Sequence, residues 1–524
     1  MGSGRMRQLC ALGLGTLAVV TAALVFWAMS RPYSEDFIPF SWPDGPYVFA
    51  PVVLVICIAI TRARDERRSP ITLALSVWLA AILLGPVLFH YNVPYSVTAD
   101  LFVAGCVAAT TTGYLLLRKK AREAPTDHKH RPAEVGLAHL LGLAGILGCV
   151  LLLLDARAQG IPLDLGYLLD NLGSLRQARF DSLAISAAQT QTRVLGSYLA
   201  ACSYLAVLAA SRLGRIGLIR FLGVTNFVLI ALVSLLVYQG RATILNLALL
   251  LLVSAYLLRR RLLPRSPRAV AITLIAGVAL WYFSVPYLAT REGSVNPAAV
   301  LQDTQRAHLR SGIAPLAAES PAFGLAMVSV GYFTSPPATL SYYMQVGPPP
   351  GPLWGGYSYP LPARTLAKAQ GTATPDMWLK DREQIFSPMV RSGYFPNVWA
   401  TWLRDLLVDF GHLGAILFSA GFGAFMAWAR NGSERTGTLY FHFYEAIACF
   451  AFTYGAFTSL LWDGFLSNAF FITVAMAVGV RTGLFSLFVL RPAPVPHKGG
   501  QTATPAASRQ TAPSDQIGRL RVVS

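Results

Sequence analysis

The residues best suited to chemistry lie in the stretch 391–414, RSGYFPNVWATWLRDLLVDFGHLG, where a polar segment runs into an apolar one. Trp402, Asp405, Asp409 and His412 recur at spacings of three, four and three, which on one continuous helix puts all four on one face. Two carboxylates and an imidazole on a helix entering lipid are costly unless that face lines a wet cavity. Asn397 is placed to cap such a helix, its side chain accepting from N–H groups of the first turn. Asp409 or His412 could take a proton from an attacking hydroxyl, with Asp405 beside them. The alternative is a helix-end network of Asp405, Asp409 and His412 with Arg404. The spacing does not choose between the two.

A second set is cationic. Arg176, Arg179 and Arg193 fall in SLRQARFDSLAISAAQTQTR, Arg241 in the short YQGRA hairpin, and Arg291 at the start of a long polar segment. Each guanidinium donates two parallel hydrogen bonds, which suits a phosphate or diphosphate; singly, each could instead reach lipid headgroups or loop carboxylates. Asn397, Tyr394 and Trp402 are candidates to contact a sugar, and the aromatic segment 342–359 could stack on sugar rings or anchor at an interface. Glu35 and Asp36 form an acidic pair that a solvated loop explains equally well. His90, His139 and His442 stand singly in or beside apolar runs and read as hydrogen-bonding groups of a bundle. No phosphate-binding Gly-rich loop, HExxH or nucleophile elbow occurs, which argues against ATP hydrolysis and metalloprotease chemistry. The six cysteines form no CxxC or CxxxC pair, so neither a metal site nor a disulfide framework is expected.

The elements that position these residues follow from composition. Of 524 residues 54% are hydrophobic and only 13% charged, which indicates an all-α polytopic membrane protein. Twelve apolar spans can be drawn, near 9–29, 45–61, 70–90, 97–117, 135–155, 194–211, 221–239, 242–258, 269–289, 406–428, 439–460 and 465–489. The first reads as a retained signal anchor. The net charge of +18 does not indicate nucleic acid, because the basic residues sit in short loops between spans. Of the 43 Lys and Arg, 28 fall on one side of this topology, making that side cytoplasmic and both termini internal. Two extracytoplasmic loops, 156–193 and about 290–405, are too long to be connections alone. The chain thus divides into spans one to nine over 1–289, the loop 290–405, spans ten to twelve over 406–490, and a Pro/Ala/Thr-rich tail over 491–524 expected to be disordered.

The pattern Asn397–x–x–x–Thr401 followed by Asp409-Phe410-Gly411–x–x–Gly414, together with the Gly240-Arg241 hairpin, resembles the oligosaccharide repeat-unit polymerases (Wzy-type O-antigen and exopolysaccharide polymerases) over roughly 156–428. The resemblance implies an inverting glycosyltransferase of the bacterial cytoplasmic membrane, metal-independent and without cofactor. It would move a polyprenyl-diphosphate-linked glycan en bloc onto the next lipid-linked unit. Arg241 most firmly, then Arg176, Arg179 and Arg291, would hold diphosphate, with Asp409 and His412 on the acceptor side. A GT-C-like bundle is compatible with the span count, and a chain-length regulator and a flippase would be possible partners. The rival readings are an O-antigen ligase, a GT-C glycosyltransferase that depends on Glu35 and Asp36, and a polysaccharide transporter. A transporter would need ionisable groups and broken helices deep in the bundle rather than at its edge.

Overall fold

The computed structural model describes residues 47–64, 69–91, 96–119, 132–160, 191–214, 216–237, 242–258, 298, 301–302, 307–346, 401–457 and 464–482. Seven helices come first: α1 (Phe49–Arg64), α2 (Pro70–Leu88), α3 (Val97–Leu117), α4 (Pro132–Ala158), α5 (Gln191–Leu213), α6 (Gly217–Leu236) and α7 (Ala242–Leu257). Three short ones follow: α8 (Ala314–Glu319), α9 (Pro321–Thr334) and α10 (Pro336–Val346). The described part closes with α11 (Trp402–Thr436), α12 (Leu439–Tyr454) and α13 (Gly464–Arg481). The expected spans at 9–29 and 269–289 lie outside the described residues, as does the tail. Each of the other ten overlaps a helix, but the one expected at 406–428 is broken at Gly411.

Six described helices (α2, α3, α4, α5, α6 and α11) are long and apolar enough to cross a bilayer. Large apolar side chains point outward along them, among them Leu83, Leu84, Leu116, Leu147, Leu154 and Phe221. An apolar exterior of this extent fits a lipid-facing surface. The expectation of an all-helical chain needs one amendment. Phe89–Tyr91 and Ala307–Leu309 form a two-stranded antiparallel ribbon in which His90 faces His308 across the register.

Lipid supplies no hydrophobic force between helices, so close backbone approach carries the packing. It is closest at glycines. A Cβ on Gly113 of α3 would overlap the Ala420 carbonyl oxygen of α11, and one on Gly423 would overlap the Thr110 carbonyl oxygen. Gly148 of α4 meets the Ala200 backbone of α5 in the same way. Polar side chains bond across these seams: Asn226 of α6 donates to the Gly142 carbonyl (2.9 Å) and accepts from the Ser203 hydroxyl (2.9 Å). α3 also receives α1, since the Asp100 carboxylate accepts from the N–H groups of Val48, Phe49 and Ala50 at 2.7, 2.8 and 2.7 Å. A side chain of one helix thereby caps the start of another.

α11 is not a straight rod. Gly411 has φ 67° and ψ −175°, a backbone region nearly closed to any other residue. Its consequence is a reversal. A straight helix carries its chain about 30 Å in twenty residues, yet the Trp402 ring lies 4.9 Å from Phe422 and 6.2 Å from Phe418. Trp402–Phe410 therefore folds back against the long segment that begins at His412. The N–H of Trp402 donates to the Gly455 carbonyl just past α12 (2.9 Å), and its ring also meets Phe452 at 5.9 Å. The re-entrant segment thus starts inside the bundle, where α12 stops, and climbs to the reversal beside Phe102 near the start of α3.

Candidate functional site

The reversal changes the expected constellation. Trp402, Asp405 and Asp409 share the re-entrant segment, but His412 lies beyond Gly411 on the long one, so the four do not lie on one continuous helical face. The described cap is also different. Thr401, with an extended backbone (φ −55°, ψ 151°), precedes the first helical residue in the place expected of Asn397, and its side chain makes no capping bond.

Each group then has its own environment. Arg404 and Asp405 are both buried, and the Arg404 Nε and Nη2 donate to Asp405 Oδ1 at 3.1 and 3.0 Å. This is the pairing that the network alternative calls for, and it leaves Asp405 engaged by a cation. Asp405 also stands in the first helical turn, where a negative charge complements the helix dipole. Asp409 is fully buried at 0% exposure. His412 is half-buried, its ring set edge-on to Phe102 at 5.5 Å, and its Nε2 is buried without a hydrogen-bond partner. Two more polar atoms share that condition at the start of the re-entrant segment: Thr401 Oγ1 and Trp402 Nε1. Above them α10 brings in Tyr343. Burial raises its hydroxyl well beyond the ordinary range, the nearby Arg404 charge opposing that shift and the Asp405 charge adding to it. The hydroxyl is therefore protonated at neutral pH. α10 is tied to the start of α1, where the Tyr47 hydroxyl donates to the Pro337 carbonyl at 2.5 Å and lies 2.8 Å from Ser341 Oγ.

Of the cations expected to hold phosphate, only Arg193 is described. It is half-buried in the first turn of α5, a helix that packs on α4, α6 and α13. Arg176, Arg179, Arg241, Arg291, Tyr394 and Asn397 lie outside the described residues, as do Glu35 and Asp36. Among the described residues no three His, Cys, Asp or Glu side chains stand together as metal ligands.

The far end of α11 holds a second charged cluster, built from residues read in the sequence chiefly as topological charge. Arg118 of α3 grips Glu434 with both terminal nitrogens, at 2.7 and 2.9 Å, and donates to Asn431 Oδ1 at 2.9 Å. Arg430 reaches Glu434 and Glu445, each at 2.6 Å. Nearby, the Leu439 N–H donates to Glu134, and Arg212 donates to the Gly437 carbonyl oxygen. Two Arg and two Glu balance one another there and join α3, α11 and α12, while Glu134 and Arg212 bring in α4 and α5. The signal was present in the sequence: Arg430 and Glu434 are four apart, and Glu445 lies inside an apolar run.

No family model, characterised protein or solved structure matches this chain.

Proposed function

We propose that the protein is a membrane glycosyltransferase of the repeat-unit polymerase type, acting on polyprenyl-diphosphate-linked oligosaccharides at the outer face of a bacterial cytoplasmic membrane. The twelve-span topology with internal termini belongs to this reading. The observation that carries it is the half-buried imidazole of His412, its Nε2 unpartnered, at a chain reversal whose re-entrant arm bears the buried carboxylates of Asp405 and Asp409. On the basic-loop topology this end of the bundle faces outward, as do the loops bearing Arg176, Arg179, Arg193, Arg241 and Arg291.

The chemistry then runs as follows. The acceptor hydroxyl gives its proton to His412 Nε2 while its oxygen attacks the anomeric carbon of the donor sugar. The bond from that carbon to the diphosphate oxygen breaks, with inversion, and the polyprenyl diphosphate leaves with the electron pair. Asp409 and Asp405, the latter fixed by Arg404, act as positioning groups on the re-entrant arm. The loop arginines hold the charge of the diphosphate. Because that leaving group is already a good one, orientation and charge stabilisation suffice, and no metal or nucleotide is called for. Asn397 and Tyr394 remain the candidates to hold the acceptor sugar, whereas the ring of Trp402 is buried against Phe418, Phe422 and Phe452.

One observation favours a second reading. The Arg404–Asp405 pair and the start of the re-entrant segment lie within the bundle rather than at its rim, and broken helices beside buried charge also suit a polysaccharide transporter. The glycans that accumulate in a deletion strain separate the readings. Loss of a polymerase leaves single repeat units on the lipid carrier at the outer face. Loss of a ligase leaves long unattached chains, and loss of a transporter strands material inside. Arg241→Ala and Arg176→Ala should each cut polymer formation severely while the protein still accumulates. Normal chain length in either would remove the diphosphate-holding role of the loops.

A further inference from the structure

The start of the re-entrant segment carries more than the transfer step uses. Trp402–Phe410 is a nine-residue helix whose N-terminus is buried inside the bundle, and a helix N-terminus attracts anions. Two side chains at that terminus are almost wholly removed from solvent, Thr401 at 0% and Trp402 at 7% exposure, and neither Thr401 Oγ1 nor Trp402 Nε1 has a hydrogen-bond partner. An indole N–H can only donate, so its buried, unbonded state calls for an acceptor oxygen. The threonine hydroxyl could have capped its own helix and does not. Both donors and the N-terminal end of the helix lie within two residues, and Arg404 follows in the same turn, already paired to Asp405.

We propose that this terminus is a phosphate-oxygen subsite, in which Trp402 Nε1–H and the Thr401 hydroxyl bind the diphosphate of the lipid-linked substrate. The assignment rests on the transferase reading for the identity of that substrate, but its chemistry is that of any diphosphate. The helix contributes what the loop arginines cannot, namely donors fixed in a water-poor site.

The test measures binding by the full-length protein in lipid nanodiscs, with farnesyl diphosphate, inorganic pyrophosphate and farnesol as probes and no sugar present. Trp402→Phe and Thr401→Val remove the donors while keeping shape. Each should weaken farnesyl diphosphate binding about tenfold or more, the effect of losing a hydrogen bond to a charged group, and leave farnesol unchanged. Parallel weakening of pyrophosphate would show that the free anion suffices, and failure of pyrophosphate to bind the wild type would assign the subsite to the lipid-linked form. Unchanged diphosphate affinity in both variants overturns the proposal, as does a wild-type protein that binds neither diphosphate. If both variants melt at a higher temperature with binding unaltered, the two atoms are merely unsatisfied and the proposal also falls. Donor-dependent binding without any transfer of glycan would instead remove the transferase reading and leave the subsite standing.

Discussion

The two ends of α11 carry similar residues in opposite states. At the far end buried Arg118, Arg430 and Glu445 and half-buried Glu434 are joined by ion pairs of 2.6 to 2.9 Å. Along the re-entrant segment and its reversal one pair, Arg404–Asp405, is closed, while His412 Nε2, Trp402 Nε1 and Thr401 Oγ1 are buried and unbonded. Burying a polar group without a partner costs roughly 1–3 kcal/mol. The balanced cluster fastens three helices and needs nothing further, whereas the unbalanced one is placed to receive a ligand.

That contrast can be broken from either side. The largest effect is expected from Arg430→Met, which leaves Glu434 and Glu445 facing each other without this cation. Loss of one partner from a buried pair costs about 3–5 kcal/mol, and folded protein recovered from membranes should fall sharply. Asp409→Asn should do the reverse, removing most transfer while melting temperature and yield stay near wild type. Gly411→Ala forces a side chain into the reversal conformation, at a cost of about 1–3 kcal/mol. It should lower both stability and transfer, by a melting curve and a product assay on one preparation. The smallest effect should come from Asp100→Asn, which weakens the cap on α1 by about 1 kcal/mol and, being part of neither cluster, shifts the melt without altering products.

The same contrast explains what could be read from residue order. The helix at 97–117 was legible to the residue, because an apolar run of the right length behind a Ser cap is a local signal. The far cluster was half legible: the i,i+4 pair of Arg430 and Glu434 lies in one segment, but Arg118 arrives from a helix some three hundred positions earlier. Asp100 was missed for the same reason, since its partners belong to another helix. The reversal was illegible. Gly411 in DFGHLG fits a helix at modest cost, so the three-four-three spacing read as one face. Only a long-range contact such as Trp402 with Phe422 reveals that the chain turns back. The residues of the candidate site are neighbours along the chain, but their arrangement on two antiparallel segments was not foreseen.

The account depends most on the imidazole at the turn. The direct measurement is the lipid-linked glycan profile of cells carrying His412→Gln in place of the wild-type chain, with the amount of inserted protein quantified alongside. Single repeat units on the carrier, at wild-type protein level, are predicted. Long chains of normal distribution from that variant would contradict the assignment of proton transfer to the reversal.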